Sequence, residues 1–253
     1  MYGHRGAHAQ NGKTHSENHE NYGSLVAVDV WKLQPYRSGS VLGVEQHHTP
    51  SSRERIIAAA RAEVEGKGIL GLRVQDVAQN AKVSVPLIYK YYIDRDGLLA
   101  EVLGEMFEEH VLEQLDASEA YINALEHPTI DDVMAIISLP QQDFRRPRRW
   151  TRMQILAASM EIPALRERLG LVQAVIQERM TAFLDDIQRR MTGGNIPVDS
   201  SALAMLLQSY SFGFVLNDLL DETGQGIKNE DFAALMRAFI TPAILGNQAT
   251  SVE

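Results

Sequence analysis

The sequence predicts an all-α protein, with a small three-helix head followed by a larger helical body. Three observations lead there. Beyond residue 50, apolar residues recur at steps of three and four, and no stretch alternates at period two for long. Residues 72–99 read as two short helices around a tight turn, followed at once by the start of a third. Prolines, glycine pairs and capping residues divide the remaining chain into discrete helices.

The head comes first. Ser51-Ser52-Arg53-Glu54 is a capping box, with Ser51 as N-cap and Glu54 three residues on. It opens a helix through Glu65 whose Ile56, Ile57, Ala60 and Val64 share a face, and Gly66 and Gly68 end it. The next helix, from Val74 to Ala81, turns Val77, Ala78 and Ala81 inward. Lys82 opens the turn, Val83 packs it, and the Ser84 hydroxyl is expected to cap the following helix. Pro86 falls in that helix's first turn, where its missing N–H costs little. Ile88 and Tyr92 point back toward the preceding helix. Pro86, Leu87 and Lys90 point away from it, with Tyr89 and Tyr91 on the flanks. Asp94 or Asp96 caps a helix carrying Leu98, Leu99, Val102, Leu103 and Met106 towards Val111, which joins head to body.

In the body, a short helix over 130–139 lies between Pro128 and Pro140, and another over 150–160 stops near Pro163. A long helix over 164–191 carries Leu165, Leu169, Val172, Ile176, Met180, Phe183 and Ile187 on one stripe, until Gly193-Gly194 and Pro197 break it. Asp199 or Ser200 starts a helix through Leu220. Asn229 caps a last one, striped by Phe232, Leu235, Met236, Phe239 and Ile240 and ending at Pro242. The expected organisation is an irregular, mostly disordered extension over 1–50, a head over 51–111, a body over 112–245 and a tail over 246–253.

Two short helices and a tight turn are the layout of a helix-turn-helix, whose second helix enters the DNA major groove. The residues here, Val77-Ala78, Ala81-Lys82-Val83-Ser84, Tyr89-Lys90-Tyr91-Tyr92, Arg95 and Leu98-Leu99, resemble the N-terminal domain of TetR-family transcriptional regulators. The resemblance covers about sixty residues. It departs at Lys82, where glycine is usual and a less tight turn is expected, and at Tyr92 and Arg95, which replace phenylalanine and lysine. It departs also at Arg73, which stands where a capping Ser or Thr is usual and cannot accept a hydrogen bond.

The resemblance implies a ligand-responsive, homodimeric DNA-binding regulator, a repressor released from a palindromic operator when a small-molecule effector enters the body. By position it implies DNA contacts at Gln75, Val85, Pro86, Leu87, Tyr89, Lys90, Tyr91 and Arg95. Tyr89 and Arg95 would hold phosphates, and Lys90 would read a base such as guanine. Trp150, Met153, Met180, Phe183 and Phe212, with Met160 and Phe214, are the candidates for lining an effector cavity, with plain helical core as the other reading of that spacing. The dimer is expected through residues 201–220 and 231–240, where Ala202, Ala204, Gly213, Ala233 and Ala234 permit close helix approach. The other reading is a helical dimer that binds ligand or protein but not DNA, kept open by the apolar Val85, Pro86 and Leu87.

Charge and composition bound the alternatives. The chain carries a net −9, but residues 51–100 hold eight basic and six acidic side chains, while 101–253 hold 12 and 23. The acid therefore lies away from the expected DNA face. There is no cysteine, no glycine-rich phosphate loop and no G-x-S-x-G, and only His110 and His127 lie beyond residue 50, so no enzyme and no cofactor are expected. His4/His8 and His15/His19 have i, i+4 spacing, but the Gly and Asn around them argue against a metal-binding helix. The basic run Arg145-Arg146-Pro147-Arg148-Arg149 reads as a solvated loop, with a second anion site as the alternative. No apolar run long enough for a membrane span is expected and no signal layout is seen, so the default location is cytoplasmic.

Overall fold

A computed structural model describes residues 50–246, so the histidine pairs and both ends of the chain lie outside the described residues. Among the described residues every regular element is helical: α1 (Ser52–Lys67), α2 (Val74–Ala81), α3 (Val85–Tyr92), α4 (Arg95–Asn123), α5 (Ile130–Ile137), α6 (Arg146–Ala158), α7 (Pro163–Thr192), α8 (Ser200–Asp221) and α9 (Asn229–Leu245), with short 3-10 turns between some of them. The all-α expectation holds, as does the order of small head and larger body.

The head closes on the capping box at Ser51 and Glu54, whose side chains and backbone amides bond reciprocally. α1 runs through Gly66 and stops at Gly68, which takes φ 76°. Ile56, Ala60, Val77, Ala81, Ile88, Leu98 and Leu99 form the head's interior. That interior does not end at the head. It continues through Val102, Leu103, Met106 and Phe107 of α4 into Ile155, Leu165, Leu169, Val172 and Ile176 of the body. A second cluster, around Ile122, Val133, Ile137, Leu184, Ile187, Met236, Ile240 and Ile244, fills the far end. Met180 packs against both.

α4 is the spine. Asp94 caps it by accepting from the Gly97 amide at 2.7 Å. The helix runs unbroken for 29 residues, about 43 Å, through the boundary expected at residue 111. It lies along α7, and Gly104 permits the approach: a Cβ there would sit 2.6 Å from the Arg168 side chain. Ion pairs brace the same helix from both sides, Arg53–Glu101 at 2.8 Å from α1 and Arg168–Glu108 at 2.7 Å from α7.

Three expectations need correction. The basic run is not a solvated loop: Pro147 sits in the first turn of α6, where a missing N–H is harmless, and Arg149 is buried against Asp218. Arg146 and Arg148 pair with Glu222 and Glu113. α9 does not stop at Pro242 but runs to Leu245 with that proline inside it, and it begins at Asn229 with Lys228 as N-cap. α8 is long and apolar enough, by length and composition alone, to cross a membrane. It nevertheless carries the buried Asp218 and packs on α6 and α7 by one face, which is the pattern of a bundle helix with one open side.

Candidate DNA interface and ligand cavity

The turn between α2 and α3 keeps its tight form without glycine. Lys82 itself adopts the left-handed conformation, φ 54° and ψ 48°, and the Val83 amide donates to the Ala78 carbonyl at 3.0 Å. The backbone is therefore as tight as glycine would make it, and the looser turn expected from Lys82 is not seen. Ser84 occupies the N-cap of α3, but its hydroxyl makes no capping bond, contrary to expectation. Arg73 likewise gives α2 no side-chain cap.

α3 buries Ile88 and Tyr92 and turns the rest outward. Pro86, Tyr89, Lys90 and Tyr91 are exposed, as is Gln75 on α2. Leu87 is half-buried, and Val85 packs in part against the core, so the two apolar residues are not equivalent. The charges divide in the same way. Arg53, Arg61 and Lys67 of α1 are held in ion pairs, whereas Arg73, Lys82 and Lys90 form none among the described residues. Arg95 is engaged: its guanidinium donates to the carbonyls of Leu72 and Ile69, each at 3.2 Å, and so ties the turn before α2 to the start of α4.

In the body, α4, α5, α6, α7 and α8 surround a cavity of about 930 Å³ including its mouth. It lies between the two core clusters. Phe107, Phe212 and Met180 meet it on one side, and Val133, Ile137, Leu184 and Ile187 on the other. A few polar groups interrupt an otherwise apolar wall: Gln114, Ser118, Arg152, Gln173, Gln208, Tyr210 and Ser211. A concave, mostly apolar site with a few polar groups is the usual form of a small-molecule pocket.

Comparison with known proteins decides what the head is. The family described as "Bacterial regulatory proteins, tetR family" matches residues 56–102. Those residues form a TetR-family DNA-binding domain. No curated protein sequence matches the chain. Among solved structures, a TetR-family regulator from Rhodococcus sp. superposes with TM-score 0.52 at 24% identity, covering 76% of this chain and 98% of its own. GusR of Salmonella enterica gives 0.51 at 19%, over 76% and 95%. The multidrug binding protein EbrR, solved with imidazole, gives 0.52 at 22%, over 78% and 96%. Identities this low establish a shared fold, and the coverage shows that it extends from the TetR head through the body.

Of the residues expected at a cavity, Met180, Phe183 and Phe212 line it, and Trp150 and Met153 do not. The reason lies in α6, whose inward face is Arg149, Arg152 and Ile155 at steps of three, which leaves Trp150 and Met153 to either side. Met160 is largely exposed, and Phe214 is buried in an aromatic group with Tyr210 and Phe232. Arg152 was not legible as a wall residue, because nothing among the arginines of 145–152 marks which one turns inward.

Proposed function

We propose that the protein is a homodimeric transcriptional repressor that releases a palindromic operator when a small molecule occupies the cavity in its body. The TetR-type head supports transcriptional regulation. The ligand response rests above all on α4, whose first turns pack against α3 and whose Phe107, Val111 and Leu115 form part of the cavity wall. A ligand that separates the two core clusters displaces a helix that has no break between cavity and head, and so changes the spacing of two heads in a dimer. That a protein of this fold was solved with a small molecule, EbrR with imidazole, accords with this reading.

At DNA, Lys90 is the polar base reader, with Gln75, Pro86 and Leu87 beside it and Val85 at the margin. Tyr89, Tyr91 and Arg95 complete the contact, with Tyr89 at a phosphate. Arg95 acts at least as much by holding the turn between α1 and α2 as by reaching phosphate. Such a protein works in the cytoplasm, where its operator lies, and needs no catalysis. The apolar Pro86 and Leu87 favour one second reading, a helical binding module without DNA binding. A gel shift on the DNA upstream of the protein's own coding sequence separates the two. Specific binding at physiological salt that falls at least tenfold in Lys90→Ala with Tyr89→Phe is the expected result. No shift with any upstream fragment would favour the second reading.

A further inference from the structure

Among the described residues the cavity wall is charged at one place only. Arg152 reaches it from α6, donates from Nη2 to Ser211 Oγ at 2.9 Å, and lies with Cζ 4.8 Å from the centre of the Phe212 ring. Its neighbours on the same helix all have carboxylates: Arg146 has Glu222, Arg148 has Glu113 and Arg149 has Asp218. Arg152 has none among the described residues, and the two charges that act on it, Arg145 and Arg149, are cations like itself. Burial first, and then those two cations, lower its pKa to about 10, which leaves it charged at neutral pH. A desolvated cation without a counter-ion is costly, and an anion beside it recovers that cost.

The surroundings describe the anion. Arg152 has donors left beyond the one given to Ser211, and a guanidinium edge takes a carboxylate through two parallel bonds. The Ser211 hydroxyl, which accepts from Arg152, keeps its own proton to donate. Gln208, one turn before Ser211, is held by Gln173 at 2.7 Å, so amide groups flank the same end. One cation matches one negative charge; a phosphate dianion would lack a second, because Arg149 is committed to Asp218. Most of the rest of the wall, Val133, Ile137, Leu184 and Ile187 in particular, is apolar, with Gln114, Ser118 and Tyr210 as its other polar members.

We propose that the cavity takes an apolar monocarboxylate, with its carboxylate on Arg152 and Ser211 and its hydrocarbon body against Val133, Ile137, Leu184 and Ile187. The proposal rests on the reading of this cavity as the effector site. The acid is of the aliphatic or aryl-alkyl class, and its neutral and cationic analogues bind weakly.

The test uses the full chain and two matched probe sets, titrated by calorimetry below micelle concentrations. The first is dodecanoate, dodecan-1-ol and dodecyltrimethylammonium; the second is 1-naphthylacetate and 2-(1-naphthyl)ethanol. At least one acid should bind tenfold or more tightly than its alcohol. Arg152→Met should remove that preference while leaving alcohol binding within about twofold, and Arg152→Lys should keep part of it. Arg152 has no carboxylate partner to orphan, so the melting temperature of Arg152→Met should not fall. Should that variant fail to fold, the acid-to-alcohol ratio in Arg152→Lys decides: a ratio equal to that of the wild type overturns the proposal. Alcohol or ammonium binding as well as the acid in wild type overturns the anion proposal but leaves the cavity reading intact. Binding of none of the five overturns both.

Discussion

Arg149 of α6 and Asp218 of α8 form a two-pronged ion pair with side chains only 3% and 2% exposed. Nε donates to Oδ2 at 3.1 Å and Nη2 to Oδ1, while Nη1 donates to the carbonyls of Pro140 and Gln142 at 2.6 and 3.0 Å. One guanidinium thus fixes α6, α8 and the segment between α5 and α6 together, one turn before Arg152. Removing one partner leaves the other charge buried without compensation. Asp218→Leu or Arg149→Met should therefore cost about 3–5 kcal/mol in urea denaturation. The double variant should recover most of that loss, because neither charge then remains. Equal stability of the single variants and wild type would show that water reaches the pair.

Lys82 holds a backbone conformation that costs a residue with a Cβ about 1–2 kcal/mol relative to glycine. Lys82→Gly should stabilise the head by up to about 1 kcal/mol, because part of the gain is lost to the greater freedom of glycine in the unfolded chain. The midpoint of thermal unfolding should rise, and a lower midpoint would mean that the lysine side chain makes a stabilising contact of its own.

A second strained turn joins α3 to α4. Ile93 sits at φ 66° and ψ −58°, the geometry of a γ-turn, and the Asp94 amide donates to the Tyr92 carbonyl at 2.7 Å. That carbonyl points at Gly97: a Cβ there would lie 2.1 Å from it. Gly97→Ala therefore cannot be accommodated without moving backbone. It should destabilise the head by about 1–3 kcal/mol and reduce operator binding, even though alanine favours helices elsewhere. Ile93→Gly should act in the opposite direction. Circular dichroism melts of the two variants check both signs.

His110 faces the body from α4 with Nδ1 buried and without a hydrogen-bond partner. Burial, and then the Arg148 guanidinium, lower its pKa to about 4, below the ordinary 6.5. The folded state therefore binds a proton less readily than the unfolded one. Its contribution is complete above pH 6.5 and is lost as the pH falls from there towards 4. The melting temperature should decline over that window, and His110→Gln should flatten the decline. Identical pH profiles for the two proteins would show that the ring is solvated.

Much of this was legible in the chain, and the limits are physical. Helix positions followed from periodicity and caps, because Ser51, Glu54, Asp94 and Asp199 satisfy amides three residues away. Such signals are local. Arg149 and Asp218 lie 69 residues apart, and no local pattern links them. Pro147 was ambiguous for the same reason: it marks a loop or a helix start with equal force, and tertiary pairing decides. The γ-turn at Ile93 violates the local preference of a β-branched residue, so propensity points away from it. Aromatic and methionine residues suggested the cavity, yet its one charged wall residue came from a side chain that sequence rules assign to solvent.

α8 and α9 leave an apolar face open: Met205, Leu206, Leu216 and Leu219 on α8, and Leu235 and Phe239 on α9, are exposed, with Leu216 and Phe239 about two-thirds so. Gly213 lies in the same stripe with nothing within 4 Å of where its Cβ would be, while Ala204, expected at the contact, is fully buried within the subunit. Helices α8 and α9 of two copies, laid face to face, would cover these residues as a four-helix layer, with Gly213 at the closest approach. The stripe on α9 divides accordingly, Met236 and Ile240 inward and Leu235 and Phe239 outward. Light scattering should give the dimer mass at micromolar concentration. Leu216→Glu with Phe239→Glu should give the monomer and should lower operator affinity at least tenfold, since two heads then no longer bind as one body. Both residues are exposed in the subunit, so the helical content should not change. A monomer mass for the wild type would refute the interface. A dimer mass for the double variant would place the interface on another face.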